Sequence, residues 1–187
     1  MAEEIWLIRH GETAWSLTGQ HTGRTDLPMT ETGELQARRL SKQLGGEQFD
    51  LVLCSPLARA RKTCEIAGFL AQAVLDPDCQ EWDYGDLNGI TEHDYTTAHP
   101  GWNIWDGPVP NGETLGQVAG RAARALKRIA AMPGRTAIFA HGHFLRILTA
   151  TYLGLSPWAA RGFALATARV SVLGRDNDYP AILSWNR

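Results

Sequence analysis

Along this chain, short uninterrupted apolar runs alternate with stretches whose apolar residues recur every three to four positions. Residues 5–8, 51–54 and 136–140 are of the first kind. They read as strands covered on both faces, since a strand with one face in water would alternate instead. Residues 168–174 and 181–185 read as closing strands. The second kind reads as helices. Gly33, Ala37, Leu40 and Leu44 share one face of a helix that stops at Gly45-Gly46. Leu57, Ala60, Cys64, Ala67 and Ala71 share a face of the next, with Ser55 expected as N-cap and Pro56 as first helical residue. Leu115, Val118, Ala122, Leu126 and Ile129 line a third, which a Thr114/Gln117 capping box opens and Pro133-Gly134 ends. A fourth runs over about 143–152 and stops at Gly154. Residues 76–112 are the least regular, with one short helix near 91–98.

Strands and helices in this alternation predict an α/β fold. The expectation is one domain over 1–187, a three-layer sandwich with helices on both faces of a mostly parallel sheet, and a cap or loop insertion at about 76–113. A length of 187 residues suits a single core.

Charge and cysteine content narrow the function classes. The formal net charge of −2 gives no global basic field, so neither nucleic acid nor an anionic membrane is expected as partner. Anion chemistry must then come from a local cluster. No apolar run approaches the ~20 residues that span a bilayer, and the N-terminal residues lack the basic and long apolar parts of a signal peptide. Three cysteines, none in a C-x-x-C pair, suit a reducing compartment. A cytoplasmic protein is the expectation.

Four local signals carry chemistry, mostly where a strand ends or a helix begins. Arg9-His10-Gly11 follows the first strand, at the end where open α/β sheets bind ligands. Arg59, Arg61 and Lys62 crowd the start of a helix, against the macrodipole. An anion bound there and held by Arg59 would relieve that conflict, whereas Arg61 and Lys62 also suit plain solvation. His141-Gly142-His143 repeats the strand-end geometry of the first signal, so two imidazoles are expected to face one pocket. His10, His141 and His143 as metal ligands are the competing reading, which two arginines in the same pocket disfavour. Finally, Glu81 lies beside Trp82 and Tyr84. A carboxyl among aromatic rings and near a phosphate dianion is a candidate general acid.

Taken in order, Arg9-His10-Gly11, Arg59 within Ser-Pro-x-x-Arg-Ala-x-x-Thr, Glu81 within Glu-x-x-Tyr-Gly, and His141-Gly142 resemble the histidine phosphatase (phosphoglycerate-mutase-like) superfamily over essentially the whole chain. The motifs at 81–85, 102–105 and 141–143 are most similar to those of small bacterial acid phosphatases and sedoheptulose-1,7-bisphosphatases. The resemblance implies a phosphate pocket of Arg9, Arg59, His10 and His141, with His10 becoming phosphohistidine and Glu81 protonating the leaving oxygen. It further implies substrate contacts from Ser16, Thr22, Gly23, Gly142 and His143, no metal and no cofactor. Ser16 stands where the family's mutases usually carry Asn, and only 60 positions separate Glu81 from His141. Both features point to hydrolysis of a small phosphorylated metabolite rather than a mutase reaction. A silent phospholigand-binding module is a further alternative, although binding alone needs no acid.

Overall fold

The computed structural model describes residues 2–187. Six strands form one sheet in the order β3-β2-β4-β1-β5-β6. They are β1 (Ala2–Arg9), β2 (Leu51–Cys54), β3 (Val74–Leu75), β4 (Gly134–Ala140), β5 (Val170–Asp176) and β6 (Tyr179–Ser184). The β1/β4, β2/β4 and β2/β3 pairings are parallel. The β1/β5 and β5/β6 pairings are antiparallel. The expected α/β sandwich with a mostly parallel sheet is therefore what the chain forms.

Period-two alternation in the strands divides the apolar side chains between two cores. Ile5 and Leu7 of β1 face one core, together with α5 (Leu115–Ala130) and α6 (Gly142–Tyr152). Trp6 and Ile8 face the other, against α2 (Glu31–Leu44) and α3 (Ala58–Ile66). Residues 5–8 of β1 are thus dry on both faces, which is why that run shows no alternation. On α2 the buried residues are Gly33, Ala37, Leu40 and Leu44, the face read from the sequence.

Three expectations change. Helix α3 is capped by Leu57 rather than Ser55, so Pro56 lies outside the helix. The Ser55 hydroxyl is hydrogen-bonded to His141, a tertiary partner that overrides the local capping signal. Ala71 falls beyond the end of α3, in a 3₁₀ turn at Leu70–Gln72, because the chain turns at Gly68 with φ +89°. On α5, Leu115 and Leu126 are only partly buried, whereas Arg121 and Ala125 are buried. Two short elements carry no sequence signal. The edge strand β3 has two exposed residues, and α1 (Ala14–Thr18) has no buried residue. The segment 76–113 contains 3₁₀ turns at Pro77–Cys79 and Gly85–Leu87 and the helix α4 (Glu92–Ala98).

The turn after β1 is anchored by α2. Thr30 caps that helix by accepting from Gly33 N–H, and its hydroxyl donates to Glu12 Oε1 at 2.8 Å. Gln36 Oε1 accepts Glu12 N–H at 3.0 Å. At Gly33 the two backbones come so close that an added Cβ would collide with the Glu12 carbonyl and amide. Gly33→Ala is therefore expected to cost about 1–3 kcal/mol, as overpacking does, and to displace the turn that carries His10. Chemical denaturation with a parallel activity assay checks this; unchanged stability would contradict the close contact.

Candidate active site

The register of the parallel strands sets the centre of the site. Arg9 of β1 lies opposite Ala140 of β4, so the next residues, His10 and His141, leave the sheet side by side. Their ring centroids are 5.2 Å apart. Cys54 of β2 lies opposite Phe139, which brings the following Ser55 to the same edge. His10 Nδ1 lies 2.7 Å from the Gly11 carbonyl oxygen. A carbonyl can only accept, so Nδ1 carries the ring proton and Nε2 keeps its lone pair. Burial, then the charges of Arg59 and Arg9, hold His10 well below the ordinary imidazole value; the Gly11 hydrogen bond opposes this only in part. His10 is thus a neutral imidazole with a free basic nitrogen. His141, fully buried, has Nε2 2.7 Å from Ser55 Oγ. Ser55 Oγ also accepts Leu57 N–H, and when its proton goes to His141 Nε2 the His141 ring proton sits on Nδ1.

Two arginines converge on this pair. Arg9 Nη1 donates to the Leu165 carbonyl, and its guanidinium lies flat against Gly142, where an added Cβ would sit 3.2 Å from Arg9 Cζ. Arg59, in the first turn of α3, is 1% exposed. It donates from Nη1 to the Thr25 carbonyl (2.9 Å) and from Nη2 to the Gly23 carbonyl (2.7 Å). Arg61 and Lys62 point to solvent instead, Lys62 pairing with Glu65 at 3.1 Å. Six buried side-chain polar atoms have no partner among the described residues. Four of them belong to this region: Arg9 Nε, Arg59 Nε, His141 Nδ1 and His21 Nε2. Native proteins rarely leave such groups unpaired, and a cluster of them suits an oxyanion.

The centre opens into a cavity of ≈ 250 Å³. Of the residues expected from the sequence, Arg9, His10, Ser16, Thr22, Arg59, Glu81, Gly142 and His143 line it. Gly23 and His141 do not; Gly23 instead offers its carbonyl to Arg59. Ser16 Oγ accepts Thr13 N–H and donates to the Thr13 carbonyl, so its hydroxyl caps α1. Glu81 lines the cavity and also caps α6. Its Oε1 accepts the N–H of Phe144 (2.9 Å) and of Trp82 (3.0 Å), and its Oε2 that of His143 (3.2 Å). It supplies the side-chain acceptor that His141, the residue at the cap position, lacks. Sequence reasoning expected a carboxyl turned to the ligand and did not foresee this second attachment.

His21 and Arg146 also line the cavity and were not anticipated. Arg146 was within reach, because it follows His143 by three positions on α6 and so shares its face. Tyr84, buried and with its hydroxyl raised well above the ordinary value chiefly by that burial, bonds His143 Nδ1 at 2.5 Å. Trp82, Trp102 and Trp105 pack into the core beside α5 and α6 and are not part of the cavity wall. The chain between Asp83 and Glu113 leaves and returns at one point: Glu113 N–H donates to the Asp83 carbonyl at 2.8 Å and Asp86 N–H to that of Pro110 at 3.0 Å. Among the described residues no three His, Cys, Asp or Glu side chains are grouped as a metal site, and no helix is long and apolar enough to cross a membrane.

Comparison with known proteins gives a consistent result. The family model described as "Histidine phosphatase superfamily (branch 1)" matches residues 5–187. An acid phosphatase of Mycobacterium tuberculosis is 37% identical over 174 residues, 91% of this chain and 85% of its own. A sedoheptulose 1,7-bisphosphatase of Saccharomyces cerevisiae is 34% identical, over 80% of this chain and 67% of its own. A probable phosphoglycerate mutase of Photorhabdus laumondii is 31% identical, over 90% of this chain and 83% of its own. The solved structure of an open reading frame product from Mycobacterium tuberculosis superposes with a TM-score of 0.91 at 32% identity, covering 98% of this chain and 97% of that one.

The neutral histidines make stability depend on pH in a defined window. His10, His141 and His143 are held well below 6.5, first by burial and then by neighbouring charge. Below pH 6.5 the unfolded chain takes up protons that the folded chain refuses, so stability falls as pH falls and is flat with respect to these groups above it. The loss should begin before ion-paired Asp78 and Glu113, ordinarily at 3.8 and 4.5, contribute theirs. Denaturant midpoints at about pH 7.5 and about pH 5.5 test this; equal midpoints would refute it.

Proposed function

Since the chain belongs to the histidine phosphatase superfamily, branch 1, we propose that it hydrolyses small phosphomonoesters through a phosphohistidine on His10. The single observation that carries this reading is the tautomer of His10. Its proton is tied to the Gly11 carbonyl, its other nitrogen is free, and two unpartnered guanidinium Nε groups and the unpartnered His141 Nδ1 lie close by.

In this reading, Arg9, Arg59 and His141 hold the phosphoryl oxygens, where fixed donors in a dry site stabilise developing charge. His10 Nε2 attacks phosphorus as the ester oxygen leaves, and Glu81 gives that oxygen a proton. Water then attacks the phosphohistidine, Glu81 takes back a proton, and inorganic phosphate departs with His10 restored. The small cavity and its polar wall of Thr22, His21, His143 and Arg146 support a compact sugar phosphate or phosphorylated acid as substrate. Segment 76–113 acts as the cap that bears the acid. Hydrolysis rather than mutase chemistry is supported by Ser16, whose hydroxyl is occupied in its own helix cap. Three free cysteines, all buried, suit a reducing compartment, so we place the protein in the cytoplasm.

His10→Ala is expected to lower phosphate release at least about 10³-fold, since no second nucleophile replaces it. Acid-labile phosphate should be trapped on wild type and not on the variant. Near-wild-type turnover of His10→Ala, or a phosphoester isomer in place of free phosphate, would overturn the reading. Glu81→Gln should slow an alkyl phosphate by about 10²-fold or more while p-nitrophenyl phosphate loses less than about tenfold, because a nitrophenolate leaves without a proton. Equal losses on the two substrates would remove Glu81 from the acid role.

A further inference from the structure

The buried face of α5 contains one residue that apolar periodicity does not explain. Arg121 is 6% exposed, and its guanidinium makes five hydrogen bonds. Nε and Nη2 grip Glu113 Oε1 and Oε2, each at 2.7 Å. Nη1 donates to the carbonyls of Asp78 (2.7 Å) and Gln80 (2.8 Å), and Nη2 to that of Glu81 (3.2 Å). Glu113 in turn accepts Asp83 N–H at 3.0 Å through its carboxylate, and its backbone carbonyl accepts Trp82 Nε1 at 2.7 Å. The pair therefore holds the backbone before, at and after Glu81. A planar fork is suited to this, since it meets several acceptors in fixed directions.

Burying such a pair is a poor way to gain stability, because hydrophobic residues of similar volume do as well or better. What it supplies here is direction. The Glu81 carboxylate is fixed at its far end by the amides of α6, but where the side chain starts is fixed by Arg121. We infer that Arg121, locked by Glu113, is a positioning residue that aims Glu81 at the leaving oxygen. This rests on the acid assignment made above. Neither charged group lines the cavity, so the pair reaches the leaving oxygen through the backbone that carries Glu81.

The test compares wild type, Glu81→Gln, Arg121→Lys and the double variant on glycerol phosphate and p-nitrophenyl phosphate, with thermal unfolding alongside. Lys keeps the charge but cannot reach both Glu113 oxygens and three carbonyls together. Arg121→Lys should lose about tenfold or more in kcat on glycerol phosphate, with p-nitrophenyl phosphate within about threefold and KM little changed. On glycerol phosphate the double variant should be no slower than Glu81→Gln, as expected of residues acting through one group. If Arg121→Lys does not fold, Glu113→Gln is expected to show the same split. Equal losses on both substrates, or a lowered Tm with unchanged kinetics, would reduce the pair to a structural staple and overturn the inference. A split for Glu81→Gln with none for Arg121→Lys removes the positioning role alone. No split for Glu81→Gln removes the acid assignment and the positioning role with it.

Discussion

Two guanidinium groups, Arg9 partly buried at the end of β1 and Arg59 buried at the start of α3, set the terms for everything around them. Removing such ions from water costs several kcal/mol each even after relaxation, and Arg9 and Arg59 also repel one another. The fold answers with the carbonyls of Leu165, Thr25 and Gly23. It does not answer completely, since each Nε stays unpartnered. Burial first, and then the same concentrated charge, keeps His10 neutral. One arrangement thus provides both the attraction for an oxyanion and the unprotonated state of the group that would attack it. Local cost at such a place is what a functional site looks like in a chain otherwise consistent from level to level.

Much of the architecture was legible because burial on both faces writes an unmistakable pattern. Continuous apolar runs marked β1, β2 and β4, and Gly33, Ala37, Leu40 and Leu44 gave the buried face of α2. What escaped was short or decided by distant partners. β3 and α1 bury nothing and so leave no pattern. Ser55-Pro56 is a sound local signal for a helix start, yet the hydroxyl bonds His141, which is 86 residues away. No scheme based on neighbours along the chain could weigh that competitor.

The centre of the site was equally legible, for a topological reason. A histidine directly after a strand is carried to the carboxyl edge of the sheet, and two such strands in parallel register bring two histidines together. Arg59 gave itself away by opposing the dipole of its own helix. His21 and Arg121 had no comparable mark. Arg121 binds mainly backbone carbonyls, which every residue possesses, so nothing in its sequence context distinguishes it from a solvated arginine on an amphipathic helix. The sequence marked Glu81 as the candidate acid but not its attachment to α6, because amides at a helix start are likewise anonymous in sequence.

The excursion between Asp83 and Glu113 is closed at its neck. Paired backbone groups join its two ends, and Gly85 and Gly112 approach so closely there that neither has room for a Cβ. Its exposed stretches can change length at small cost, since doubling a flexible loop adds only about 0.6 kcal/mol of closure entropy, while Trp102, Ile104 and Trp105 hold the rest of the excursion to the core. The residues proposed to meet phosphate sit outside it, on strand ends and helix starts, whereas Tyr84 and Glu92 of the cavity wall sit within it. The excursion therefore adds one separable piece of wall, Tyr84 and Glu92, to a proposed anion receptor built elsewhere, and ester preference can be altered at that piece without rebuilding the receptor.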